Sequence, residues 1–143
     1  MLKIRPIEER DLERLLEIIN QPSVIRYMPL ERPVKMEKVR KWYESSIVFK
    51  NPTIFVLELG RVIGACSISE NGKLTVWIEE GEHGKGYGTK AVEWLKDYAK
   101  KNNLSKLWLE CFKDNRRALD FYRGLGFKDR GEKEELLLLE MEI

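Results

Sequence analysis

The sequence predicts an α/β (α+β) domain, a mixed and mostly antiparallel sheet of about seven strands covered by about four helices. Three observations carry this. Segments with period-2 apolar spacing alternate with segments of helical spacing along the chain. Three strand-like runs between residues 53 and 79 are separated only by short glycine-bearing links. Beyond them, strands and helices alternate singly. The implied order is β-α-α-β-β-β-α-β-α-β-β in a single domain over residues 1–143.

The elements follow in turn. "LKIRPI" opens as a strand. Leu12, Leu15, Leu16 and Ile19 then mark one face of a first helix that Pro22 ends. "VIRYMPLERP" reads as irregular. Pro33 stands near the entry of a second helix, with Met36, Val39, Tyr43 and Ile47 on one face up to about Phe49, and Pro52 closes it. "TIFVLEL", "RVIGACSIS" and "KLTVWIE" are strands. Gly60-Arg61 suits a type II′ turn and Asn71-Gly72 a type I′ turn, so the three form an antiparallel meander. A long helix over 86–102 and the strand "KLWLECF" complete a crossover whose two strands should be parallel and right-handed. "DNRRALDFYRGLG" is a helix ended by glycine, and "FKDR" and "EELLLLEMEI" are the last strands.

A chain of 143 residues, 43% of them hydrophobic, can bury roughly two-thirds of its unfolded surface as one domain. Twenty-six basic and 24 acidic residues leave a net charge of +2 spread along the chain, so bulk electrostatics points to neither nucleic acid nor membrane. "MLKIRPIEER" lacks the apolar core of a signal peptide and no apolar run reaches a membrane span, so a cytoplasmic protein is expected. Cys66 and Cys111 fall in strands, without a histidine at metal spacing, and read as reduced, buried small hydrophobes.

The stretch "EEGEHGKGYGTKAVEWLKDYAK" sets Gly81, Gly84, Gly86 and Gly88 before an otherwise good helix. Each glycine inside a helix costs about 1 kcal/mol relative to alanine, so the cluster needs a reason. The first turn of a helix has unpaired N–H groups and the positive end of the dipole, and a loop without side chains lets a phosphate reach them. Lys85 adds a cation, which fits a pyrophosphate. Tyr87 and Gly88 stand where a Walker A loop needs Lys and Ser or Thr, which excludes that motif. A dinucleotide site is the alternative: "GYGTKA" matches G-x-G-x-x-A after a strand, and Glu110 follows about 22 residues beyond Gly88. It lacks the further parallel βαβ units that such a site requires.

"HGKGYGT" followed about 30 residues later by "NRRALDFYRGLGF" closely resembles the GCN5-related N-acetyltransferases, and the element order extends the resemblance over almost the whole chain. The resemblance implies acetyl-CoA as co-substrate. It implies that His83, Gly84, Lys85, Gly86, Tyr87, Gly88 and Thr89 form the pyrophosphate loop, with His83 departing from the family's Gln or Arg. It also implies that Val76, Trp77 and Ile78 lend their backbone to the pantetheine arm as to an added strand, in a gap splayed open before "KLWLECF". Asn115 and Tyr122 match the helix on the other side of that gap. Without the resemblance, Ala118, Phe121, Tyr122 and Leu125 are one apolar helix face and Tyr122 a core aromatic.

Acetyl transfer to an amine needs a neutral nucleophile, a stabilised oxyanion and a proton for the thiolate. Glu79 is the first choice of base, with Glu70 and Glu58 as neighbours, and each can also be a solvated strand-end charge. A main-chain N–H near Trp77 or Ile78 can meet the oxyanion. A tyrosine, with a pKa near ~10, can protonate the thiolate, the role that matches Tyr122. "VIRYM" and "KVRKWYESS" look like the branch that acetylates ribosomal-protein N-termini and polyamines, with Tyr27, Trp42 and Tyr43 as an acceptor wall. The acceptor is then an amine-bearing peptide or small molecule. A non-catalytic CoA-binding or peptide-binding module is the remaining alternative, and the apolar "LLLLEMEI" could pair across a homodimer as easily as within the sheet.

Overall fold

The computed structural model describes residues 1–143. Seven strands and five helices follow in the order β1 (Lys3–Pro6), α1 (Leu12–Ile19), α2 (Pro22–Ile25), α3 (Met36–Val48), β2 (Thr53–Glu58), β3 (Val62–Ile68), β4 (Leu74–Ile78), α4 (Tyr87–Lys101), β5 (Lys106–Phe112), α5 (Arg116–Gly124), β6 (Lys128–Lys133) and β7 (Leu136–Glu142). The strands form two antiparallel sheets, ordered β1-β2-β3-β4 and β5-β7-β6. Between them the expected parallel pairing shrinks to one bridge, Lys73 with Trp108, where the Trp108 N–H donates to the Gly72 carbonyl at 3.0 Å. From that vertex β4 and β5 diverge.

Gly72 makes the vertex possible. A Cβ there would lie 2.4 Å from the Lys106 carbonyl oxygen, and its φ of +88° is in the left-handed region. The turn is not the two-residue type I′ expected. The Gly72 N–H bonds to Ser69 and the Ser69 N–H to Lys73, which makes a three-residue loop with its left-handed residue at Gly72.

The first sheet is covered on both faces, which is why β2 and β3 are apolar almost without interruption. Phe55, Leu57, Ile63, Cys66 and Ile68 face α4 and α5. Ile54, Val56, Val62 and Ala65 face α1 to α3. On α4, Ala91, Val92, Leu95 and Ala99 make the buried stripe, and Lys100 and Lys101 complement the carbonyl end. Both cysteines are free and buried.

Several sequence expectations are corrected here. Pro22 does not simply end α1; it occupies the first turn of α2, where its missing N–H costs nothing, and Val24 and Ile25 of the supposedly irregular stretch are buried helix residues. Ile47 is 52% exposed and Phe49 74%, because α3 turns Val39 and Ser46 inward instead. The Ser46 hydroxyl accepts the Ile54 N–H at 2.9 Å, a bond that an apolar periodicity does not reveal. The apolar β7 lies between β5 and β6, so both its edges are occupied within the chain and it offers none to a second copy. The free edge is β6, "KDRGEK", exposed and charged throughout, a composition that resists edge pairing.

A buried ion pair fixes β1 to the start of α1. Arg5 donates two parallel bonds of 2.9 Å to Asp11 and two longer ones to Glu58, and Asp11 also accepts the Glu8 N–H at 2.8 Å. Burial alone would raise the Asp11 carboxyl, yet the bonds from Arg5 and the Glu8 N–H hold it below the usual carboxylate range. A depressed folded pKa contributes stability above the ordinary value near ~3.9 and loses it as pH falls through the folded value. Asp11→Ala, which leaves Arg5 only its longer bonds to Glu58, should cost up to about 3–5 kcal/mol in urea denaturation at pH 7. In Asp11→Asn the acid limb of the stability curve should be shallower than in the wild type.

Candidate functional site

The gap between β4 and β5 opens into a cavity of about 990 Å³ that runs from the α1–α3 side of the sheet to α4 and α5. Ladder geometry shows what β4 presents to it. Ser69 and Glu79 donate their N–H groups to Lys73 and Ile63 respectively, so the odd-numbered residues of β4 face β3. The main-chain groups of Leu74, Val76 and Ile78 therefore point into the gap, while the N–H of Trp77 is spent on the ladder. His83 takes up the Ile78 carbonyl with its Nε2–H at 2.6 Å, which leaves the Ile78 N–H and both polar groups of Val76 free.

At the wide end of the gap lies the glycine loop. Gly84 and Gly86 have φ values of +77° and +87°, and Gly86 stands at the N-cap of α4. These two left-handed residues turn successive amides the same way. None of the N–H groups from Gly84 to Thr89 donates to another atom of the chain, and the first intrahelical bond of α4 is Lys90 to Gly86. Six aligned, unpaired donors at the positive end of a 15-residue helix form an anion cradle. Gly88 has a different reason: a Cβ there would press on the Phe121 ring at 3.2 Å, so glycine lets α5 pack across the entrance of α4. Arg117 leans over Gly84 and, like Arg116, has no ion-pair partner, so both cations are free for a ligand. Lys85 is paired with Glu82 at 3.3 Å.

On α5, Asn115 is the N-cap. Its side chain accepts the Ala118 N–H at 3.3 Å, a structural duty that leaves its amide nitrogen as a free donor. Tyr122 lines the cavity, packed edge-on against Phe121 and Phe127, and its hydroxyl has no partner within the chain. Burial, with Cys111 and Cys66 nearby, pushes the Tyr122 phenol above its ordinary value, so it carries its proton throughout the neutral range. The two thiols are likewise pushed up by burial, Cys66 to about 12 and Cys111 to about 11, which keeps them as inert neutral groups in the wall.

The three carboxylates picked from the sequence lie elsewhere. Glu58 belongs to the Arg5 pair and Glu70 is exposed in the β3–β4 loop. Glu79 is 6% exposed and does not line the cavity. Its carboxylate is bound by Arg14 from α1, through a hydrogen bond, and by Arg61 from the β2–β3 turn, through an ion pair without hydrogen-bond alignment. Held by two guanidinium groups away from the cavity, Glu79 reads as an anchor for the end of β4. The next residue continues the anchorage, since the Glu80 carboxylate accepts the Ser23 N–H at 2.7 Å and its N–H bonds to Gln21.

The carboxylate that does stand in the gap is Glu110 of β5, which faces the α1–α3 side and is paired with Lys73 at 2.5 Å. Its position twelve residues before Tyr122 was visible in the sequence. In the dinucleotide alternative it would serve the nucleotide, but its pairing with Lys73 and the single parallel bridge do not fit that site. Tyr27 and Trp42 also line the cavity, whereas Tyr43 packs against the core of α1–α3.

Residues 1–128 match the family model described as an acetyltransferase (GNAT) domain. The spermidine N(1)-acetyltransferase of Escherichia coli (strain K12) is 31% identical over 139 residues, 92% of this chain and 75% of that protein. Among solved structures, a spermidine N-acetyltransferase from Vibrio cholerae in complex with CoA and spermine has a TM-score of 0.83 at 21% identity, over 99% of this chain and 94% of that one. A ribosomal-protein-alanine N-acetyltransferase from Brucella melitensis has a TM-score of 0.84 at 22% identity, over 99% of each chain. No helix is long and apolar enough to cross a membrane. The splayed strands, the glycine cradle and the match over residues 1–128 lead to one conclusion: this chain belongs to the GNAT family of acetyltransferases.

Proposed function

We propose that the protein moves the acetyl group of acetyl-CoA directly onto a primary amine while both substrates are bound. The observation that carries this reading is the continuity of unpaired main-chain donors, from Gly84–Thr89 down to Ile78 and Val76 along the open edge of β4. A pyrophosphate matches the cradle and its neighbouring arginines, and an amide-bearing arm matches a strand edge that lacks a partner. The thioester supplies an acyl group activated for attack.

The chain's own groups divide the remaining work. Glu110 lies where an incoming ammonium would meet a carboxylate, and it takes the proton that frees the amine lone pair. The nitrogen then bonds to the carbonyl carbon, and the Ile78 or Val76 N–H meets the oxygen that becomes negative. As the carbon–sulfur bond breaks, the nitrogen releases its second proton to solvent, Tyr122 gives its proton to the sulfur, and solvent restores the Tyr122 proton. The balance is ammonium plus thioester to amide, thiol and one proton. Holding both reactants in one cavity adds the entropic advantage of an intramolecular reaction.

Three outcomes test the assignment. Tyr122→Phe should lower kcat by about 10²–10⁴-fold with little change in acetyl-CoA affinity, measured by thiol release and calorimetry. An unchanged rate would return Tyr122 to the packing role its helix face also suits, and a protein that bound CoA without turning over any amine would be a binding module. Glu110→Gln should cost about 10²-fold in kcat, while Glu79→Gln should keep most of kcat and lower the thermal midpoint instead; the reverse pattern would restore Glu79 as the base. Gly86→Val, forced into the left-handed region, should weaken acetyl-CoA binding at least about tenfold without loss of fold by circular dichroism.

A further inference from the structure

The cavity has two unlike halves. The half near α4 and α5 is made of amide donors and arginines. The half near α1–α3 is walled by Tyr27, Met28, Leu30, Trp42 and Trp77, all half-buried. Three carboxylates line the cavity as a whole. Glu82 sits in the glycine loop, paired with Arg61 and Lys85, and Asp114 on the β5–α5 turn. Only Glu110 faces the aromatic half, and Lys73 already neutralises it. The segment that supplies most of the wall, residues 21–42, carries six basic residues against two acidic ones. One of them, Arg26, lies 5.1 Å from the Tyr27 ring centroid and so occupies a face that could otherwise hold an ammonium.

A polyamine would bring two or more ammonium groups into this half. One could meet Glu110; the others would find no second carboxylate in this half to offset the cost of leaving water. An amine on an apolar or aromatic body meets the opposite situation, because its body covers the aromatic wall and its single ammonium reaches Glu110. We propose that the acceptor is a small arylalkyl or apolar monoamine, and not a polyamine, although relatives of this chain are spermidine acetyltransferases. This inference rests on the acetyltransferase reading above.

The test compares 2-phenylethylamine, tryptamine and spermidine at fixed acetyl-CoA by thiol release. The aromatic amines should exceed spermidine in kcat/KM by at least about tenfold. Trp42→Glu should narrow or invert that ratio by removing part of the wall and adding a carboxylate. Binding is read separately, by tryptophan fluorescence of the CoA-loaded protein, since Trp42 and Trp77 lie in the wall. There 2-phenylethylamine should quench saturably at lower concentration than spermidine. Spermidine as the equal or better substrate would overturn this inference and leave the acetyltransferase reading standing. Turnover of no amine would overturn the transferase mechanism, and the fluorescence titration would then decide the acceptor class by itself: tighter spermidine binding rejects the proposal and tighter 2-phenylethylamine binding upholds it.

Discussion

The contact between Gly72 and the Lys106 carbonyl is the constraint on which the rest of this structure depends. It lets β4 and β5 touch at one point and no further. A side chain there would push the strands apart at the vertex, and a continued parallel ladder would close the gap. With a single bridge, the Val76 main-chain groups and the Ile78 N–H face open space, a condition that a folded chain tolerates only at a surface or a binding site. Everything assigned to function lies along that unpaired edge or at its mouth.

The segment after β4 shows how such an opening is kept rigid. Glu79 is tied to Arg14 and Arg61, Glu80 to Ser23 and Gln21, and His83 to the Ile78 carbonyl. The glycine loop itself has little that could hold it, because the residues that free its amides for a ligand also remove its side chains. Its shape is imposed from both ends, by this clamp on one side and by the contact of Gly88 with Phe121 on the other. The clamp also joins the loop to α1 and α2, the elements that lead into the aromatic wall.

Much of this was legible in the sequence, and the exceptions have physical causes. The glycine loop and the Tyr122 helix are local patterns, written in consecutive residues, whereas the capping role of Asn115 came only with the structure. The meander was equally plain, since hairpins pair neighbouring strands. The partners of Glu79 come from 65 and 18 residues away, and no local spacing reports an ion pair of that kind. Ile47 fell on the wrong face because Ser46 exchanged an apolar contact for a hydrogen bond to β2. Strand order was hidden for a similar reason: alternation identifies β7 as a strand but not that it lies between β5 and β6.

The two sheets are largely self-contained. The meander of β2–β4 and the β6–β7 hairpin each form from near neighbours in sequence, and β5 joins them, by a full ladder to β7 and a single bridge to β4. The two sheets share a core under α4 and α5, but their main-chain seam is the one that the co-substrate would bridge. A ligand that binds only when both halves are docked stabilises the docked state by mass action. An acyl donor bound across this seam would double as mortar, and the durability of the enzyme would then follow the supply of the metabolite it consumes.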